Sequence, residues 1–498
     1  MRKIILFLPP YPGPVFGPPL ALLALAAPLR EAGYEVKIID AVITPDYLRV
    51  LCEEIANALC LGVSLLTGPM ISHAARAARL VKRLRPELPI VFGGWHPSLL
   101  PEQTLREDFV DVVVRHQGEI TFLEVIRRLE RGQPLDLVSG CSFKREGKIC
   151  HNPDRPVAAL SSLPAPLFEA ADFDAYEKFS GERAAPYITS VGCPYACHYC
   201  TDTVFYKRRF NALPAARVAN EMTGLVRRHR LTKIALCDSN FLVDALRALE
   251  IARGLMASGL RFTWSFQAST DLLCRMSDDD VRLLGESGAE HIGFGTESAS
   301  EGVLRLMNKF HQRVPDMFET ARKCRQAGIR ATFNLILGYP GESEADRRVT
   351  LQVMSEIGHR YENVTFSPNI FTPYPGIPIW PELRRLGVFE PQSLEAWSSI
   401  SLGQNALPWL RGRPYRSLKR NVSFFLLTNQ ISRAARKPGS SARRLILRIV
   451  SVLLSWRVRF GFFHLPLDLW LAHATKRLAG RRSLLTGRRL ASSLNEAG

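Results

Sequence analysis

"VGCPYACHYCTDT", residues 191–203, sets Cys193, Cys197 and Cys200 within eight positions. A structural zinc site is closed by four ligands and a disulfide by two. Three thiolates suit a cubane iron–sulfur cluster, with three irons held and the fourth left open to a substrate. The Pro, Gly and small residues of "GCPYAC" let the loop wrap a bulky group. A zinc site would need a fourth ligand, and His198, set between ligating positions, reaches poorly. "PYITSVGC" (186–193) reads as a strand running into this loop, so the cysteines sit at a strand's carboxyl end.

Working outward, further strands are predicted at 233–241, 261–269, 291–298, 330–342 and 363–376, with helical patterns between them. Ser277 reads as the cap of the helix that closes at Gly288. Six strand–helix units suffice for an open parallel barrel, whose catalytic groups come from the carboxyl ends of its strands. Upstream, strands are predicted at 3–9, 35–41, 60–68, 89–97 and 111–119, again alternating with helices. That pattern predicts an open doubly wound, Rossmann-like sheet, with ligands beyond the strand ends. Those ends are rich in Pro, Gly and Ser: Pro9-Pro10, Ser64–Gly68, Gly93-Gly94 and Gly118. No GxGxxG follows the first strand, which disfavours a dinucleotide. The reading is therefore an α/β chain with a Rossmann-like domain at 1–135 and a linker at 136–184. An open (β/α)6 barrel follows at 185–390, then a basic, amphipathic, helical region at 391–498.

The cysteine triplet, CxxxCxxC, resembles the hallmark of the radical S-adenosylmethionine (SAM) superfamily. "CDSNF", "GFGTES", "GYPGES" and "TPYPGIP" resemble the motifs that follow it in the cobalamin-binding branch. "PPYPG", "FGGWHPSLLPE" and "HQGEITFLEVI" are similar to the B12-binding domain found before such barrels. The likeness spans roughly residues 1–380. It implies that Cys193, Cys197 and Cys200 hold a [4Fe–4S] cluster whose open iron is chelated by SAM. One electron, from an external donor of flavodoxin or ferredoxin type, then cleaves SAM to a 5′-deoxyadenosyl radical. By the same resemblance Tyr199 sits by the adenine. Asp238 and Asn240 accept from the methionine ammonium. Glu297 and Ser298 meet the ribose or the amino acid moiety. Leu337 and the backbone of Gly338 line the adenine, with Asn334 as a polar contact. Asp238 and Glu297 have an alternative reading as helix-capping carboxylates.

Many B12 proteins carry DxHxxG, whose histidine binds cobalt from below, and none occurs here. His73 and His96 lack that context, so the cobalamin is expected to have no histidine ligand. Its lower face is expected to meet the "SLLTG" loop, with Ser64, Thr67, Gly93 and Gly94 touching the corrin or its nucleotide tail. The resemblance leaves three reactions open: methyl transfer to an unactivated carbon, ring formation as in porphyrin metabolism, or radical chemistry without cobalamin.

Lys plus Arg number 65 against 47 Asp plus Glu, a formal charge of +18. Such an excess points to an anionic partner. Much of it lies in residues 411–490, which lack a groove-reading motif and are apolar as well as basic, so nucleic acid is disfavoured. Residues 441–473 suit the surface of an anionic membrane or an apolar, lipid-like small-molecule substrate, or they form a helical cap on the barrel. The longest uncharged run there, "IVSVLLSW", is far below the roughly 20 residues of a membrane span. Cys52, Cys60, Cys141, Cys150, Cys237, Cys274 and Cys324 read as small buried hydrophobes. The apolar start ends at Leu8, too short for a signal peptide. The expected location is the cytoplasm, with a peripheral contact at the inner face of the membrane.

Overall fold

Short β-branched runs alternating with amphipathic helices build two parallel sheets in series. A computed structural model describes residues 2–11, 13, 15–400, 407–436 and 441–460. The first sheet holds β1 (Lys3–Leu8), β2 (Glu35–Asp40), β3 (Ala58–Ser64), β4 (Ile90–Gly93) and β5 (Val112–Val114), all parallel. Its order is β2-β1-β3-β4-β5, then β6 (Cys141–Arg145) and β7 (Lys148–His151). Ile4, Ile5, Leu6 and Phe7 are all buried, as a strand covered on both faces requires. Ile4 and Leu6 pack under the helices Leu20–Glu31 and Glu119–Glu130, while Ile5 and Phe7 face the helix Met70–Leu84. The chain reverses its order between β1 and β3, which opens a crevice at their carboxyl ends.

The second sheet has six parallel strands: β8 (Ala184–Tyr187), β11 (Lys233–Leu236), β12 (Thr263–Ala268), β13 (Ala289–Glu297), β14 (Arg330–Leu337) and β15 (Val364–Ile370). Their order is β15-β14-β13-β12-β11-β8, so β8 and β15 are the outer edges of an open arc. Trp264 and Phe266 stack at 5.1 Å beside Phe241 and anchor the layer between sheet and helices. Ser277 caps the helix Asp278–Glu286 in a capping box with Asp280. A two-residue pair, β9 (Ser190–Val191) with β10 (Asn211–Ala212), is antiparallel and pinches off residues 192–210 as a closed loop.

The span 136–184, expected as an irregular linker, contains ordered strand at its start. β6 and β7 form a hairpin that extends the first sheet antiparallel to β5. Its turn is Glu146-Gly147, with φ of 50° and 76°. Two successive left-handed residues make the type I′ geometry that matches strand twist. Several expected strands are also shorter: 111–119 reduces to Val112–Val114, and 233–241 ends at Leu236. In the carboxy-terminal region the helices Arg413–Arg436 and Ser441–Arg459 pack on each other and on the helix Glu344–Arg360. The stretch 461–498, including 461–473 of the expected membrane-facing segment, lies outside the described residues. No helix among the described residues is long and apolar enough to cross a membrane.

Candidate active site

Gly192 opens the cysteine loop at φ 77°, and a Cβ there would fall 1.9 Å from the carbonyl oxygen of Arg209. Only glycine allows that turn and that approach. The loop beyond is pinned from several sides. Asn308 Nδ2 donates to Ala196 O at 2.7 Å, and the His198 N–H donates to Met307 O at 3.0 Å. The Tyr195 ring stacks on His311 at 3.5 Å, and its hydroxyl donates to Asp271 at 2.6 Å. All three cysteines are free; Cys197 is buried, and Cys193 and Cys200 are half-buried. Burial raises the Cys193 thiol and pushes Cys200 up to about 12, so each is a neutral thiol until a cation replaces its proton. Among the described residues no three His, Cys, Asp or Glu side chains converge on a single-ion site. A cubane asks for no such convergence, because each thiolate binds its own iron.

Around the cysteines the structure gathers some of the expected residues and turns others away. Asn240 Nδ2 lies 4.0 Å from Cys193 Sγ and 3.3 Å from Ser269 Oγ, while its Oδ1 is buried with no partner. An orphaned acceptor beside a cluster ligand fits an ammonium donor such as that of SAM. Tyr199 donates to Glu297 Oε1 at 2.9 Å. Lys309, which the sequence reading missed, donates to the Tyr199 hydroxyl at 3.2 Å and stands 3.8 Å from Glu297. Burial raises the Glu297 carboxyl, opposed by the Lys309 charge. Glu297 also sits at φ 57°, a conformation that side chains rarely adopt and that clusters at functional sites.

Asp238 departs from expectation. One oxygen accepts from the Thr189 N–H at 2.7 Å, and the other accepts from the hydroxyls of Thr189 and Ser190. The carboxylate is spent on the break between β8 and β9, not held open for a ligand. Ser298 is also internal: its hydroxyl meets Thr350 at 3.0 Å and accepts from the Ser300 N–H. Leu337 is fully buried in the sheet–helix layer. The Gly338 N–H donates to Glu342, and its carbonyl accepts from Trp409 Nε1 at 3.0 Å, so neither is free for an adenine. Asn334 is half-buried on β14, on the opposite strand face from the buried Phe333 and Leu335.

A cavity of about 530 Å³ lies at the carboxyl ends of β1, β3, β4 and β5, a volume in the range of small-molecule and cofactor sites. Ser64, Gly93 and Gly94 line it; Thr67 does not, and stands 3.0 Å from His96 Nδ1. Gly94 sits at φ 91°, with Leu65 backbone atoms 2.8 Å from where a Cβ would be. His73 and His96 are both away from the cavity wall: His73 pairs with Tyr47, and buried His96 is lowered to about 3. The sequence reading overlooked His116, at the end of β5, which is part of the wall. Its Nε2 lies 3.8 Å from Asp154 Oδ2, and its Nδ1 is shut in without a partner. Cys237, expected to be buried, faces this cavity beside Ser239.

The far wall comes from the segment that leads from the second sheet into the cysteine loop: Pro186 on β8, then Ile188, Val191 and Phe205. Phe205, in the second half of the cysteine loop, packs 4.1 Å from Trp95 and 5.0 Å from His116.

The family model for the B12 binding domain matches residues 14–126, and that for the radical SAM superfamily matches residues 187–354. An uncharacterized methyltransferase of Pyrococcus horikoshii is 29% identical over 396 residues, 76% of this chain and 83% of its own. The anaerobic magnesium-protoporphyrin IX monomethyl ester cyclase of Synechocystis is 28% identical over 329 residues, 63% of each chain. Among solved structures, the radical SAM methyltransferase TsrM of Kitasatospora setae, with cobalamin and a [4Fe–4S] cluster bound, shares the fold. It has a TM-score of 0.67 at 18% identity, over 77% of this chain and 78% of that one. The two matched domains, in this order, with the cysteine loop inside the second, place this chain in the family of radical SAM enzymes that carry an amino-terminal cobalamin-binding domain.

Proposed function

We propose that this enzyme is a cobalamin-dependent radical SAM methyltransferase that methylates an unactivated carbon of an apolar small molecule. When bound, the [4Fe–4S] cluster with SAM supplies hydrogen-atom abstraction, and methylcobalamin supplies the methyl group. Cys193, Cys197 and Cys200 would hold the cluster. Asn240 Oδ1 would accept from the methionine ammonium, and Tyr199 and Glu297 would meet the rest of SAM, with Asn334 along the arc. Ser64, Gly93 and Gly94 would meet the cobalamin, whose binding unit runs to His151 once the β6–β7 hairpin is included. The site needs an electron from an external flavodoxin- or ferredoxin-type donor.

One observation carries the reading: the cavity has one wall from the first sheet and the other from the segment running into the cysteine loop, and Phe205 in that loop packs on Trp95 and His116. A substrate placed there lies between the two cofactor positions, as hydrogen abstraction and methyl delivery at one carbon require. On the far wall, away from Ser64, Gly93 and Gly94, the lining is Pro186, Ile188, Val191 and Phe205, which favours an apolar substrate. The test is turnover of an apolar metabolite extract with methyl-labelled SAM. Methyl transfer gives labelled product with both S-adenosylhomocysteine and 5′-deoxyadenosine. Unlabelled product with 5′-deoxyadenosine alone would establish ring formation in its place.

A further inference from the structure

The helix Ser441–Arg459 carries apolar residues on two opposed sides. Leu454 and Val458 are buried, at 3% and 1% exposure, against the neighbouring helices. Ser451 Oγ meets Ser432 Oγ at 2.6 Å, and Arg457 lies over the Phe424 ring at 4.5 Å, which fixes the inward side. Leu445, Ile446, Ile449, Val452, Leu453, Trp456 and Phe460 are each 53–65% exposed. At about 100° per residue these seven fall within an arc of roughly 120°, turned away from Leu454 and Val458. An inner stripe explains how the helix packs on the barrel. The outer one has no partner among the described residues.

We infer that this outer stripe docks on an anionic lipid surface. The choice of occupant rests on charge. Residues 411–460 contain thirteen Arg and Lys and no Asp or Glu. Arg448 is exposed at the edge of the stripe. Trp456 and Phe460, with rings 5.4 Å apart, put an aromatic pair on the apolar side, the side on which interfacial helices carry theirs. An apolar arc with Arg448 at its edge, in a basic segment free of acids, matches a headgroup–acyl boundary bearing negative charge. It does not match a second copy of the same stripe, since that would set like charges side by side. The inference is independent of the reaction proposed above.

The test is flotation of the full chain with phosphatidylcholine vesicles, with and without about 30% phosphatidylglycerol. The comparison chain is Ile446→Ser/Ile449→Ser/Leu453→Ser/Trp456→Ser, whose changes all lie on the exposed side and leave the iron content and melting temperature in place. The native chain is expected to float with the anionic vesicles and to be released as salt rises to about 0.5 M. The quadruple variant is expected to bind at least about tenfold more weakly. Failure of the native chain to float, equal flotation of the variant, or equal binding to neutral vesicles overturns the inference. So does a dimer in sedimentation velocity that the quadruple variant dissolves, which would assign the stripe to a second copy.

Discussion

Cys197 is the most enclosed of the three thiols, and its replacement tests the site most directly. Cys197→Ala is expected to lose the cluster and all reductive cleavage of SAM, measured by iron and sulfide analysis and by 5′-deoxyadenosine release. Cobalamin binding is expected to survive, because the cavity at the first sheet does not use that side chain. A second prediction concerns Glu342, wholly buried beside Arg347, with its carboxyl pushed up to about 7. A carboxyl raised in the folded state holds a proton that the unfolded chain has already lost. Its contribution is therefore full below the unfolded value and disappears as pH rises to about 7. Across that window the native chain should lose up to about 3 kcal/mol that Glu342→Gln retains. A thermal melt at pH 5 and at pH 7 should show a steeper fall for the native chain. The three cysteines were legible because their spacing is a covalent fact of the chain. Asp238 and Ser298 lie just beyond the ends of β11 and β13, and their hydrogen bonds to Thr189, Ser190 and Thr350 come from segments far away in the chain that spacing does not reveal. Lys309 gave no sequence signal, since its meaning comes from Tyr199, which is 110 positions away in the chain, and from a fold that turns Glu297 toward both.

Elements fix what single residues cannot. The β9–β10 pair closes the cysteine loop, and Gly192 gives it the one turn that fits under Arg209 O. Gly192→Ala should therefore displace the loop. Iron content is expected to fall several-fold on anaerobic reconstitution, with cobalamin binding unchanged. Near-native iron loading would show that the loop can reseat around a methyl group. Alternation of apolar runs with helices made all five parallel strands of the first sheet and five of the six of the second readable, while the strand expected at 186–193 breaks after Tyr187 into the end of β8 and the separate β9. The β6–β7 hairpin escaped because "CSFKREGKICH" is half polar and its turn is Glu-Gly, not the commoner Asn-Gly or Asp-Gly. Strand ends also escaped: they run into loops of similar composition, where hydrogen bonds to distant residues set the boundary.

At the scale of the whole molecule, Phe205 ties the cysteine loop to the end of the first sheet. Phe205→Ala removes its contacts with Trp95 and His116 without touching a cysteine or the Gly93-Gly94 turn. Cluster and cobalamin should both still bind. 5′-Deoxyadenosine formation should continue while labelled product falls about tenfold or more, because misplacement of about 1 Å is costly in such a site. Equal loss of both products would place Phe205 in the cluster's support alone. At the same scale, the cobalt should show no histidine nitrogen in the paramagnetic spectrum of its Co(II) form, since His73 and His96 are away from the cavity wall and His116 has its nitrogens turned to Asp154 or shut in.

The order of synthesis decides when the barrel end at Gly338 is covered. Leu407, Leu410 and Leu418 close over that glycine, and Trp409 takes its carbonyl. On the ribosome, the first sheet has all its strands once His151 emerges, and domains fold as they are made. The barrel has its last strand by Ile370, but the end of β14 stays bare until Leu418 has been synthesised. Translation therefore leaves an interval in which the cobalamin unit is finished and the cysteine loop is formed beside an uncovered barrel end. A ribosome-bound chain stopped at residue 400 should already retain cobalamin, yet lose iron faster than the released protein.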